Sequence, residues 1–114
     1  MSKYMYIFRG GAFVTPGLSP KQMQEHLAKW NRWVDGFTKT GRNNVGHPLE
    51  NRGKAVRGRN HVTDGPYAES KDLVTGALIL EAGSLEEAAE LARECPIFEF
   101  GGSVEVRPLL EHEA

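Results

Sequence analysis

Two helix starts divide this chain and set the order in which its strands must be laid down. Ser19-Pro20-Lys21-Gln22 puts a serine at the cap, proline at the first helical position and glutamine where its side chain reaches back to the cap. Ser84-Leu85-Glu86-Glu87 offers a second capping box. After the first start, Met23, Leu27, Trp30, Val34 and Phe37 recur at spacings of three and four, which predicts one apolar stripe on a helix from Pro20 to Thr40, closed by Gly41. After the second, Leu85, Ala88, Ala89 and Ala92 make the expected buried face. Cys95-Pro96 stops that helix, because proline cannot continue it.

Strand-like runs fall around these helices. Tyr4 to Arg9 is rich in β-formers, and Leu73 to Ala82 is the strongest strand in the chain. Asn44 to Glu50 and Lys54 to Arg57 predict a middle hairpin around Asn51-Arg52-Gly53, with Arg59 to Thr63 extending its second strand. Ser103 to Arg107 closes the series, with Val104 and Val106 on one face and Glu105 between them. The order is β-α-β-β-(β)-α-β. Its economical solution is an α+β, ferredoxin-like split βαβ antiparallel sheet with both helices on one face. The other face is left bare, and a chain of 114 residues has no layer to spare for it. A homodimer through the sheet faces, a barrel-like assembly of two sheets, is therefore expected.

Composition narrows the function classes. Hydrophobic and charged contents of 39% and 25% are those of an ordinary globular chain, read as a single domain over 1–114. The net charge of −1 supplies no general pull toward nucleic acid or membrane, and neither is expected as a partner. No apolar run approaches the length of a membrane span, and the lone Cys95 fits a reducing compartment. A soluble, cytoplasmic protein is the expectation. Charge is nevertheless uneven. Arg42, Arg52, Lys54, Arg57 and Arg59 face Glu50 alone, while the acids dominate from Glu81 onward. Two readings stand: solvated faces, or an anion-attracting rim beside the middle hairpin.

The stretch Val62 to Lys71, VTDGPYAESK, is a shaped loop between strand-like runs. Gly65 can take a positive φ, and Pro66 fixes its own φ while restricting Gly65. Such a loop holds the Asp64 carboxylate in a defined place. It either works there or organises the turn.

DGPYAESKDLVTGALILEA, the later CPIF, the closing GGSVEVRP and the helical QMQEHLAKWNRWV followed by GHPLE together resemble the YCII-related (DGPF-domain) proteins across nearly the whole chain. Tyr67 stands where that family usually has phenylalanine. The resemblance implies a ferredoxin-like dimer. It also implies kinship with a few enzymes of small, often aromatic or chlorinated, rings, and a His–Asp active pair at His26 and Asp64.

Helical geometry gives His26 an independent reading. At about 100° per residue it lies roughly 60° from the centre of the apolar stripe, with Trp33 about 80° off on the same shoulder. That predicts a rim position, where an imidazole can exchange protons near neutral pH or simply bond a backbone carbonyl. Trp30, Trp33, Tyr67 and His47 are the candidate ligand contacts, with core packing the other reading for the aromatics. No metal is expected, since His26, His47, His61 and Asp64 have no local metal spacing. Cys95 reads as a packed thiol. Gly10-Gly11 and Gly101-Gly102 lack phosphate-loop spacing, and no cofactor is expected. The leading expectation is a small cofactor-independent enzyme using His26 and Asp64 on a small cyclic or carbonyl substrate. Its rival is a non-catalytic dimeric module binding a small ligand or a protein.

Overall fold

The first strand, β1 (Ser2–Arg9), pairs antiparallel on both sides, with β5 (Val74–Ala82) and with β6 (Ser103–Pro108). This computed structural model describes residues 1–65 and 70–110. On the far edge of β5 lies β2 (Val45–Pro48), so the sheet order is β2-β5-β1-β6. With helix α1 (Pro20–Lys39) between β1 and β2, and α2 (Leu85–Ala92) between β5 and β6, this is the expected split βαβ sheet. The four-stranded sheet of one chain stays open and closes no barrel.

Alternation along the strands divides the two faces. Tyr4, Tyr6 and Phe8 of β1 point to one side and meet Leu78 and Leu80 of β5 in the core. Phe37, Ala82, Ala88, Ala92, Cys95 and Ile97 complete that core, with Trp30 and Trp33 packed against it, so the helical layer covers this face. Met5, Ile7, Ala77 and Ile79 lie on the opposite face, together with Val45 of β2, which is 57% exposed.

The helix starts form as their sequences dictate. Ser19 and Gln22 make the reciprocal capping box of α1. At α2 only half of the expected box forms: Ser84 Oγ accepts from the Glu87 backbone N–H. The Glu87 carboxylate pairs with Arg42 instead. The buried face of α2 is also narrower than expected, since Ala88 and Ala92 are buried while Leu85 is 40% exposed.

The middle of the chain departs furthest from expectation. The hairpin around Asn51-Arg52-Gly53 does not form, because β2 is taken by β5. Lys54–Gly58 (β3) instead folds back on His61–Asp64 (β4) through Arg59-Asn60, so the run expected to extend the second strand becomes its partner. Val56 and Val62 face each other across this separate two-stranded sheet, 65% and 53% exposed. Beyond α2, Pro96 opens a 3₁₀ segment, Pro96–Phe100, where only a helix stop was expected.

A buried histidine at an apolar cavity

His26 is 1% exposed, a core residue and not the rim residue predicted from helical angles. The reason lies in how α1 is covered. The Pro96–Phe100 segment lies beside the helix, and the Phe100 ring sits edge-on to the imidazole at 4.8 Å. The helix is therefore buried along His26, Trp30, Trp33 and Phe37, while Leu27, on the edge of the sequence-derived stripe away from His26, is 39% exposed. The whole buried face has rotated toward the histidine.

Between α1 and the β2–β5–β1 part of the sheet is a cavity of about 480 Å³. Phe8, Phe13, Leu27, Trp30, Val34 and Ile97 contribute to its apolar wall, with Asn31, Asn44 and Thr75 among the polar contributors. His26 lines it too. Its size is that of small-molecule sites, which run from about 300 to 1,000 Å³.

Two groups engage the imidazole. The Trp30 indole donates from Nε1 to His26 Nε2 at 2.9 Å. On the other side, Nδ1 is buried and, among the described residues, has no hydrogen-bond partner, 3.5 Å from Glu99 Oε1. Lys29 bonds the second oxygen of Glu99. That bond leads in holding the Glu99 carboxyl below its ordinary value; desolvation opposes it, and the charges of Lys29 and His26 add smaller effects in the direction of the bond.

The predicted site residues are thus partly assembled. His26, Trp30 and His47 all border the cavity. His47, however, pairs in register with Ala77 and so belongs to the row facing away from the helices; it borders the cavity from the outer strand. Trp33 is packed in the core, stacked on Tyr6 at 5.8 Å and donating to the Leu91 carbonyl at 3.3 Å. Asp64 is at the end of β4, its carboxylate 93% exposed and 2.6 Å from Lys54 Nζ. Among the described residues, His26 and Asp64 form no ion pair with each other. Tyr67 lies outside the described residues.

Glu99, Lys29 and Phe100 were missed in the sequence. The available signal was Cys95-Pro96: a proline that stops one helix also suits the first position of a following turn, and that turn carries Glu99 and Phe100. Cys95 itself is buried, and burial pushes its thiol up to about 12, which suits a packing role. Among the described residues, no group of three or more His, Cys, Asp or Glu side chains is arranged to hold a metal ion, and no helix is long and apolar enough to cross a membrane.

A solved structure shares the fold: 5-chloro-2-hydroxyhydroquinone dehydrochlorinase from Burkholderia phenoliruptrix AC1100, in complex with 2,5-dihydroxybenzoquinone. The match covers 96% of this chain and 95% of that one, with a TM-score of 0.52 and 20% identity. At that identity the likeness speaks for the fold alone. An uncharacterised protein of Rhizobium meliloti (strain 1021) is 42% identical over 53 residues, 46% of this chain, and the match spans 43% of that protein's length. The sequence pattern of the YCII-related domain matches residues 8–113, and the chain belongs to that family.

Proposed function

We propose that this protein is a small cofactor-independent enzyme that moves a proton on a small cyclic or carbonyl compound bound beside His26. The observation that carries the reading is a buried imidazole on the wall of an otherwise largely apolar cavity of about 480 Å³. An apolar pocket with a few directed polar groups is the usual form of a small-molecule site. Imidazole is the side chain best suited to give and take protons near neutral pH. The neighbouring fold acts on a chlorinated, hydroxylated ring, which makes such compounds the first substrates to try. Glu99, rather than Asp64, is the carboxylate this reading gives to His26, because it lies 3.5 Å from the ring.

A second copy packed on the outer sheet face belongs to the same proposal. Met5, Ile7, Ala77, Ile79 and Val45 present an apolar strip there. Light scattering at micromolar concentration should give the mass of a dimer. A monomer mass would remove this part.

The test of the enzymatic reading is a panel of hydroxylated and chlorinated rings, beginning with 5-chloro-2-hydroxyhydroquinone, followed by absorbance and by chloride release. Wild-type turnover should disappear in His26→Gln although the variant still folds and melts cooperatively, at a midpoint lowered as befits a residue 1% exposed. Full activity in His26→Gln would end the proposal. One observation favours the rival reading of a binding module: the Nε2 lone pair already has a partner in Trp30. A ring that raises the melting temperature of both wild type and His26→Gln, without turnover, would decide for it.

A further inference from the structure

The neighbours of His26 dictate its tautomer. An indole N–H can only donate. Nε2, which accepts that bond at 2.9 Å, therefore carries no proton in the resting protein. The proton of the neutral ring then sits on Nδ1, facing Glu99 Oε1 at 3.5 Å. That separation is longer than a normal hydrogen bond, so the buried N–H is left under-satisfied. Among the described residues the charged groups facing this ring are Glu99, from the 3₁₀ segment, and Lys29, from α1, acting through Glu99. Trp30 and Phe100 supply the uncharged ring contacts.

We propose that Trp30 is a gate on His26: its indole N–H occupies the Nε2 lone pair and gives way when a ligand presents its own O–H or N–H to that nitrogen. Both rings border the cavity, so the exchange takes place at its wall. The consequence is a selection rule. The site takes an uncharged small molecule carrying a hydrogen-bond donor on an apolar frame. An ether of the same shape leaves Nε2 without a donor and gains nothing by displacing the indole. Protonation opens the same gate. Once His26 carries protons on both nitrogens it has no lone pair to offer, so the Trp30 bond is lost while Nδ1–H gains a charged partner in Glu99. Trp30 and Glu99 are thus positioning residues for His26. The selection rule rests on the cavity being a ligand site, as proposed above; the tautomer and the release on protonation do not.

Both halves are tested on the intact, ¹⁵N-labelled protein. Long-range ¹H–¹⁵N spectra should show His26 as the Nδ1–H tautomer in its neutral form. The Trp30 indole resonance should move with protonation of His26, while that of Trp33, bonded to Leu91, stays still. His26→Phe should abolish that movement. An Nε2–H tautomer, or a Trp30 indole indifferent to His26, overturns the gate. For selection, phenol and anisole are added in parallel at millimolar concentration. Phenol should bind more tightly, by less than the roughly ten-fold that one hydrogen bond to a buried acceptor is worth, because its bond replaces the one the indole gives up. In Trp30→Phe, phenol should bind more tightly still, with no indole to displace. Equal affinities for the two probes, or binding of neither, overturn the selection rule. Turnover that survives in His26→Gln, with the Trp30 signature intact in wild type, overturns the enzymatic reading and leaves the gate standing.

Discussion

Glu99 Oε1 stands 3.5 Å from Nδ1 of His26, and Lys29 holds the other oxygen of the same carboxylate. Two elements far apart in the sequence meet here, one acid from the Pro96–Phe100 turn and two bases from α1. Because the Lys29 hydrogen bond and the two positive neighbours stabilise the ionised form, the Glu99 carboxyl in the folded protein lies below its ordinary 4.5. The unfolded chain then takes up the proton first. The contribution to stability is present above 4.5 and disappears as pH falls through the lower folded value. Glu99→Gln should therefore be less stable than wild type at neutral pH, with the gap closing in acid. Urea midpoints across the acid range check this; a gap that does not change with pH contradicts it.

Asp64 and Glu99 make opposite predictions for His26. The Lys54–Asp64 pair is solvent-exposed, so Asp64→Asn should change stability by less than about 1 kcal/mol. It should also leave the His26 ring resonances where they are. Glu99→Gln should shift them, since it removes the carboxylate beside Nδ1. A His26 spectrum that answers to Asp64 and ignores Glu99 would restore the pair implied by the family resemblance.

How much of this was legible in the sequence depends on whether the cause was local. The Ser19–Gln22 box formed as written because every atom it needs lies within four residues. The strands of the main sheet were legible for the same reason, through their alternation. The partner of β2 was not: pairing with β5 is a long-range choice, and the run Arg59 to Thr63 had an equally good local option in folding back on β3. His26 shows the same limit inside a helix. Its angle relative to Leu27 and Trp30 was read correctly, but which shoulder of α1 is covered depends on the remote segment Pro96–Phe100. Trp30, His47 and His26, singled out by residue type and element, border the cavity; Glu99 was hidden because a helix stop also proved to be a turn start.

The rotated face of α1 makes a contrast that mutagenesis can read. Phe37 is 4% exposed among Tyr6 and Trp33, so Phe37→Ala should cost about 3–5 kcal/mol. Leu27 belongs to the sequence-derived stripe as fully as Phe37 does, each about 40° from its centre, yet it is 39% exposed at the cavity wall. Leu27→Ala should cost about 1 kcal/mol or less. Similar losses for the two, measured by denaturant titration, would mean that the helix is docked as the stripe alone suggests.

Gly101 and Gly102 precede β6 and differ in what a side chain would meet. A Cβ at Gly101 would have open space around it, and the cost of Gly101→Ala is only that of holding alanine at φ 72°, about 1–2 kcal/mol. A Cβ at Gly102 would collide with Ile97 and come within 2.8 Å of the Arg9 carbonyl oxygen. Backbone cannot step aside as a flexible side chain can, so the turn carrying Glu99 must shift against β1. Gly102→Ala should cost about 3 kcal/mol, the upper range for overpacking, and should disturb the His26 resonances as Glu99 moves with its turn. Gly101→Ala should leave those resonances alone. If both variants lose the same stability and neither touches His26, the 3₁₀ segment is not the rigid support of the histidine that the packing of Ile97, Glu99 and Phe100 makes it.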